Sequence, residues 1–144
     1  MTVRLLLRDK GTAASTARPD TKVQEIMDQF ERDEVSAVVV THSDSSILGI
    51  VSGGDILRAL NRDGPSVLKS SVSDVMTTEV FTCDVSEPLS KVYEMMNTNQ
   101  IRHVPIVEDS ELCGIINTLD VVKYRLREIA CEADALKDYV AGRG

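Results

Sequence analysis

Aromatic residues and cysteines are scarce in this chain. Only 3% of its 144 residues are aromatic and tryptophan is absent, so we expect Val, Ile, Leu, Met and Ala to fill the core in place of stacked rings. The three cysteines, Cys83, Cys113 and Cys131, show no CxxC spacing and cannot all pair within one chain. This excludes a zinc knuckle and a disulfide framework, and it favours a reducing compartment.

An excess of basic charge and long hydrophobic runs are also missing. The net charge of −7 would repel a phosphate backbone, and no run of Lys and Arg alternates with aromatic residues. The first apolar run, 3–7, is interrupted by Arg4 and is too short for a signal or membrane segment. We therefore predict a cytoplasmic protein with no nucleic-acid or membrane partner. An anionic small ligand would need local cations, and Arg102 and His103 are candidates.

Motifs of catalytic chemistry are absent from the sequence as well. It has no nucleophile elbow, no cluster of metal-ligating side chains and no glycine-rich loop that would cradle phosphates. Cys83 and Cys113 fall in apolar runs and are predicted to be small core residues. We therefore predict that the protein is not an enzyme and holds no catalytic cofactor or metal.

An internal repeat organises the residues that are present. Four apolar residues at helical spacing recur at the same spacing in the second half, Val23, Ile26, Met27 and Phe30 corresponding to Leu89, Val92, Tyr93 and Met96. Two β-branched runs follow each helix, separated by a polar turn. Each unit is therefore predicted as strand, helix, strand, strand and helix, with Thr21 and Ser86 as candidate helix N-caps. The fold class is α+β, with tandem β-α-β-β-α repeats.

The repeat divides the chain into four segments. We predict a first repeat over 1–60, a linker over 61–73, a second repeat over 74–126 and a C-terminal helical extension over 127–144. The linker contains Gly64-Pro65 and several serines. The last helix is predicted from about Leu119 to Val140, with its apolar residues on one side: Val122, Leu126, Ile129, Ala133, Leu136 and Val140.

Several short motifs accompany the repeat. The segments 49–55 and 114–120 share the pattern Gly-apolar-apolar-polar-x-x-Asp, and 102–105 is Arg-His-Val-Pro. Two further motifs open the units, Leu6-Leu7-x-x-Lys10-Gly11 and Asp74-Val75-Met76-Thr77. With these motifs in register over nearly its whole length, the chain resembles the CBS-domain family, in which two repeats pack about a pseudo-two-fold axis into a Bateman module.

The resemblance implies clefts between the repeats that hold an adenosine moiety. It assigns the ribose hydroxyls to Asp55 and Asp120. Phosphate contacts would come from Ser52, Arg102, His103, Asn117 and Thr118. Contacts to the base would come from Ser15, Thr16, Ala17, Phe81, Thr82, Cys83, Val104 and Pro105.

The same resemblance implies a regulatory role without catalysis. The expected ligand is an adenine nucleotide, AMP, ADP, ATP or NAD(H), and S-adenosylmethionine shares the same adenosine. Energy or redox-state sensing would then pass to a separate effector protein, and a homodimer is expected because such modules resemble half of a larger disc.

Three alternatives stay open at this point. Ser52-x-x-Asp55 and Asn117-x-x-Asp120 both match a helix capping box, which needs no ligand. Arg102 and His103 are equally compatible with solvated residues at a strand edge. The alternative function is a protein-interaction or assembly domain that binds no nucleotide.

Overall fold

Two similar units, each with a three-stranded sheet and flanking helices, make up the fold. The computed structural model describes residues 1–11, 14–43 and 46–142. The predicted α+β class and the order of elements within each repeat are confirmed. A helix that the sequence did not predict, α1, precedes the first unit and spans Val3–Lys10.

The elements of the two units correspond one to one. The first contains β1 (Thr16–Ala17), α2 (Val23–Asp33), β2 (Ala37–Thr41), β3 (Ile47–Ser52) and α3 (Gly53–Asp63). Two 3₁₀ turns follow, Pro65–Lys69 and Val72–Asp74. The second contains β4 (Cys83–Asp84), α4 (Leu89–Asn99), β5 (His103–Glu108), β6 (Glu111–Asn117) and α5 (Thr118–Val140).

Both sheets share one topology. The central strand, β2 or β5, pairs parallel with the short first strand and antiparallel with the third. Val39 lies opposite Ile50 in the first sheet, and Pro105 lies opposite Ile115 in the second. Pro105 therefore occupies a central strand, where proline cannot donate a ladder hydrogen bond. In the first sheet the amide of Val39 donates to the carbonyl of Ser15 at 3.0 Å. Pro105 cannot make the corresponding bond, which explains why β4 begins one position later in its repeat than β1.

The helices expose one residue of each predicted apolar face. Val23, Ile26 and Val92 are fully buried, but Met27 is 37% exposed and its counterpart Tyr93 is 60% exposed. The predicted N-caps were wrong: α2 and α4 are preceded by Lys22 and Pro88, without a side-chain cap. The hydroxyl of Ser86 bonds instead to the carboxylate of Asp84 at 2.7 Å.

Each hydrophobic core contains a segment from outside its own unit. Val3, Leu6 and Leu7 of α1 pack into the core of the second unit. In the same way, the segment between the units supplies the first core with Val67, Val72, Val75 and Met76. The domain boundaries stay a prediction. Each core nevertheless contains residues from both sides of a predicted boundary, and Val67 and Val72 of the predicted linker belong to the first core.

The faces of the central strands that point away from the cores are buried too. Val38 and Val40 face the first core, yet Val39 between them is 0% exposed. Pro105 is likewise buried between Val104 and Ile106, which face the second core. Because side chains alternate along a strand, Val39 and Pro105 point away from their own cores. We infer that the two sheets cover each other's second face. At the edge of this contact, Ser36 Oγ lies 2.7 Å from His103 Nε2.

The helices of the described residues lack a stretch long and apolar enough to cross a bilayer. The final helix is continuous over 23 residues. This confirms the predicted span of about Leu119 to Val140.

Replacing Gly49 by Ala should destabilise the protein by about 1–3 kcal/mol, because overpacking displaces neighbours. A Cβ at this position would lie 2.6 Å from Met76 Sδ and 2.8 Å from the carbonyl oxygen of Thr77. Gly53→Ala is the matched control, since a Cβ there meets no atom within 4 Å. Urea unfolding of both variants measures the effect. Equal stability of the two would contradict the close packing of 76–77 on β3.

Candidate functional site

A cavity of about 410 Å³ opens where the two units meet. Its size falls within the roughly 300–1,000 Å³ typical of small-molecule sites. Both units and the end of α1 line it: Lys10, Gly11, Ala14, Ser15, Glu34, Val35, Ser36, Ala37, His103, Ile115 and Asn117. Three of the predicted site residues, Ser15, His103 and Asn117, are therefore brought together from different parts of the chain.

Asp120 borders this cavity through its hydrogen bonds to two lining residues. Its Oδ2 accepts from the ammonium of Lys10 at 2.5 Å and from the amide of Asn117 at 2.9 Å. The Lys10 ammonium also donates to the carbonyl of Ile115 at 2.7 Å. The Asp120 side chain is only 16% exposed, so this ion pair is partly shielded from water. A carboxylate and a cation thus lie side by side at the cavity edge.

Lys10 is a site residue that the sequence analysis did not assign. The helix α1 carries it there because Leu6 and Leu7 are buried in the second core, and positions three and four residues later lie on the same face. The Leu6-Leu7-x-x-Lys10 motif contains the pattern from which this position of Lys10 follows. Using it would have required the knowledge that the motif is helical and packs on the second unit.

His103 is half-buried beside Lys10 and is held in contact with Ser36. Burial lowers the pKa of His103 below its ordinary value of 6.5, and the nearby charges of Lys10 and Arg102 lower it further. The carboxylates of Asp120 and Asp55 act in the opposite direction, with smaller effect. The ring is therefore neutral at pH 7, and a bound anion would favour its protonation.

Asp55, the counterpart of Asp120, is tied into a denser network. Its Oδ1 accepts from the Arg58 guanidinium at 2.8 Å and from the Thr77 hydroxyl at 2.9 Å. Its Oδ2 accepts from the amide and the hydroxyl of Ser52, at 2.8 and 3.1 Å. Thr77 also forms a reciprocal pair of backbone hydrogen bonds with Ile50, both 2.9 Å. The segment after the 3₁₀ turns thus covers Asp55.

Both aspartates also belong to helix capping boxes, as the ligand-free alternative predicts. The amides of Ser52 and Asn117 donate to Asp55 and Asp120, each the third residue of its helix. Asn117 Oδ1 completes the box by accepting from the amide of Asp120 at 2.9 Å. Capping and ligand binding are compatible here, since each carboxylate has two oxygens with several acceptor positions.

Arg102 and Thr118 lie on a different surface from His103 and Asn117. They line a groove between α4 and α5, with a volume of about 940 Å³. The amide of Thr118 donates to the carbonyl of Arg102 at 3.0 Å. The five residues predicted to bind phosphate are therefore divided among three places: Ser52 at Asp55, His103 and Asn117 at the cavity, and Arg102 and Thr118 in the groove.

The residues predicted to contact the base are divided in a similar way. Ser15 lines the cavity, and its hydroxyl bonds to Asp33 at 2.7 Å and to Gln29 at 2.6 Å. The remaining positions differ mainly in burial. Thr16 and Thr82 are exposed, Ala17 and Phe81 are half-buried, and Cys83, Val104 and Pro105 are buried. Cys83 and Val104 belong to the second core, so only their backbone atoms are free to meet a ligand.

Cys83 and Cys113 pack as small apolar residues in and against the second core, whereas Cys131 is exposed. All three are unpaired with one another. Burial raises the pKa values of Cys83 and Cys113, which keeps both thiols protonated. Among the described residues there is no group of three or more His, Cys, Asp or Glu side chains placed to hold a metal ion.

Comparisons with known proteins agree with this architecture. The family model for the CBS domain matches residues 12–62 and 72–127. The chain belongs to the CBS-domain family.

Three relatives illustrate the range of the match. The crystal structure of a CBS-domain containing protein from Agrobacterium tumefaciens has a TM-score of 0.83 and 36% identity, covering 87% of this chain and 99% of that one. CBS domain-containing protein YhcV of Bacillus subtilis is 32% identical over 73% of this chain and 74% of its own length. A mitochondrial CBS domain-containing protein of Arabidopsis thaliana, CBSX3, is 26% identical over 98% of this chain and 72% of its own.

Two structures with the same fold carry ligands. A CBS domain protein from Pyrobaculum aerophilum, described as complexed with AMP, has a TM-score of 0.74 and 21% identity over 83% of this chain and 89% of that one. The CBS domain pair of protein MJ0100, described in complex with 5′-methylthioadenosine and S-adenosyl-L-methionine, has a TM-score of 0.80 and 21% identity over 89% of this chain and 98% of that one.

The lowered pKa of His103 predicts that the free protein loses stability as the pH falls below 6.5. In that range the unfolded chain binds a proton that the folded chain resists, so the slope reaches at most about 1.4 kcal/mol per pH unit. Thermal unfolding from pH 5 to 8 measures this loss. His103→Gln should flatten the curve between pH 5 and 6.5, because it removes the titrating ring. A wild-type curve already flat over that range would contradict the assignment.

Proposed function

We propose that this protein is a non-catalytic regulatory module that binds an adenosine-containing ligand in the cavity between its two units. The observation that carries the proposal is the convergence of Lys10, His103 and Asn117 on a small-molecule-sized cavity with Asp120 at its edge. Carboxylate and cationic groups side by side suit a ligand that presents hydroxyl donors next to an anion.

The ribose of the ligand would bind Asp120. A ribose diol offers two adjacent hydroxyl donors, which one carboxylate can accept, as in dinucleotide-binding folds. Among the described residues, the hydrogen bonds to Asp120 end on Oδ2, and a diol would engage Oδ1 or replace Lys10 on Oδ2. Asp55 stays a predicted ribose ligand of a second cleft, where a ligand would first have to displace Thr77 or Arg58.

The phosphate of the ligand would bind Lys10 and His103. The charge of Lys10, together with the protonation of His103 that a bound anion would favour, favours AMP, ADP, ATP or NAD(H) over S-adenosylmethionine, whose sulfonium is positive. Glu34 also lines the cavity, and its negative charge acts against this preference. Lys10 and His103, one cationic and one protonatable, outnumber it. Support comes from the two proteins of the same fold whose bound ligands contain adenosine.

We also propose a cellular role, in which the chain forms a homodimer in the cytoplasm and reports energy or redox state to a separate effector protein. An assembly domain without a nucleotide is the second candidate, and the exposed apolar residues of α5 favour it.

An adenosine-containing ligand should raise the melting temperature. A ligand at a hundred times its dissociation constant adds about 2.7 kcal/mol, which is a shift of roughly 5–10 °C for a chain of this size. AMP, ADP, ATP, NADH and S-adenosylmethionine are tested at millimolar concentration, and chromatography afterwards should recover each ligand unchanged. Absence of a shift with all five would leave the assembly domain as the function.

Lys10→Met should weaken AMP roughly ten- to hundredfold and adenosine much less, because a charge-assisted hydrogen bond contributes about 1.5–3 kcal/mol. Arg102→Met is the matched control, since Arg102 lines the groove and not the cavity. Titration calorimetry measures both ligands on both variants. If Arg102→Met discriminates between AMP and adenosine and Lys10→Met does not, the phosphate belongs on Arg102 and the cavity is the wrong site.

Asp120→Asn should weaken adenosine and AMP alike, by roughly ten- to hundredfold, since both ligands carry the ribose. Asp55→Asn removes the same kind of capping carboxylate from the other unit, and it should change affinity less than threefold or so on the same scale. Titration calorimetry at a temperature where both variants are fully folded separates a loss of binding from a loss of folding. Equal losses in the two variants would mean that both clefts bind.

A further inference from the structure

The second half of α5 extends away from both units. Among the described residues, 129–142 are all exposed, and the 23 residues of the helix span about 34 Å. This solvated stretch nevertheless carries large apolar side chains: Ile129 is 47% exposed, Leu136 63% and Val140 77%. A helix with this surface lacks a partner within the described part of its own chain.

The apolar residues of α5 follow a strict heptad pattern. Their spacing alternates between three and four residues along the whole helix: Leu119, Val122, Leu126, Ile129, Ala133, Leu136 and Val140. These residues are called the α5 seam below. A helix lying on a globular core has a wider apolar face, whereas a narrow seam of this period is typical of a left-handed coiled coil. The partner of the seam is therefore another helix.

We propose that the α5 seam pairs with the same seam of a second copy as a parallel, two-stranded coiled coil. The inference specifies the contact in the homodimer proposed above and does not depend on nucleotide binding.

The charges beside the seam favour a second copy in parallel orientation. With Leu126 at position a, Glu132 lies at g and Lys137 at e of the next heptad. A parallel pair brings g of one helix next to e of the following heptad on the other, so Glu132 meets Lys137 of the second copy twice by symmetry. An antiparallel pair brings e next to e, and the e positions Lys123 and Lys137 would then repel.

The apolar surface continues from the seam into the groove between α4 and α5. Val122 and Leu126 form one wall of this groove, and Leu89 and Tyr93 belong to the other. Tyr93, 60% exposed, is thus available to contact a second copy where the coiled coil meets the body. Covering this surface would also remove the exposed apolar area that monomeric proteins generally avoid.

Light scattering of the full chain tests the assembly. The wild type should have the mass of two 15.8 kDa chains. Ile129→Asp should raise the dimer dissociation constant by roughly a hundredfold or more, because a buried unpaired charge is strongly unfavourable. Cys131→Asp adds the same charge on the outer face of the helix and should keep the dimer. A wild type with the mass of one or three chains, or a dimer indifferent to Ile129→Asp, would overturn the proposal.

Charge exchange and cross-linking test the orientation. Lys137→Glu should weaken the dimer roughly tenfold and the double change E132K/K137E should restore it.

In a Cys131→Ser background, Leu136→Cys should form a disulfide between copies, since a parallel pair places identical d positions within bonding distance. Wild-type Cys131, on the outer face, is the control and should not cross-link. Failure of both the rescue and the cross-link would refute the parallel pair. AMP affinity of Ile129→Asp, measured separately, keeps failure of the dimer distinct from failure of the nucleotide site.

Discussion

The two-sided burial of the central strands β2 and β5 is the constraint on which the rest of the structure depends. Val39 and Pro105 face away from the helical cores of their own units and are nevertheless buried. From the Ser36–His103 contact and the cavity that both units line, we infer that each unit covers this face of the other. A single unit would leave this apolar face in water, which costs about 25 cal/mol for each Å². The two units also depend on each other because α1, which precedes the first unit, packs in the second core, and the 67–76 segment, which precedes the second unit, packs in the first. The cavity is a product of this contact, because its walls come from both units.

Repeats with the same order of elements nevertheless place their motif aspartates in different surroundings. The apolar pattern of Val3, Leu6 and Leu7 has its counterpart in Val72, Val75 and Met76, but only the first segment continues as a helix. The helix ends in Lys10 beside Asp120, whereas the second segment becomes extended and pairs through Thr77 with β3. One carboxylate therefore faces a cation and a cavity, and the other is covered by a hydroxyl and Arg58. Small differences in local conformation decide which groups compete for each carboxylate.

The acidic residue of each motif has a structural role regardless of any ligand. Asp55 and Asp120 each accept the amide that begins their helix, so the same carboxylate that would recognise a ribose also fixes the helix start. This explains why the sequence alone could not choose between a capping box and a binding site. The tertiary contacts with Lys10 and Thr77 distinguish the two carboxylates, since they determine what else competes for each oxygen.

The sequence by itself determined the repeat, the α+β class, the element order within each repeat and the apolar side of α5, because these follow from periodicity within short segments. It also proposed Ser15, His103 and Asn117 as ligand contacts, without indicating that they line one cavity. Only the tertiary structure decided that Lys10 joins them and that Arg102 and Thr118 lie in another groove. It also decided that 67–76 belongs to the first core. The physical reason is that neighbouring positions on a strand or at a helix start face opposite sides. Which side holds a ligand depends on how the two units pack, and local patterns carry no information about that packing.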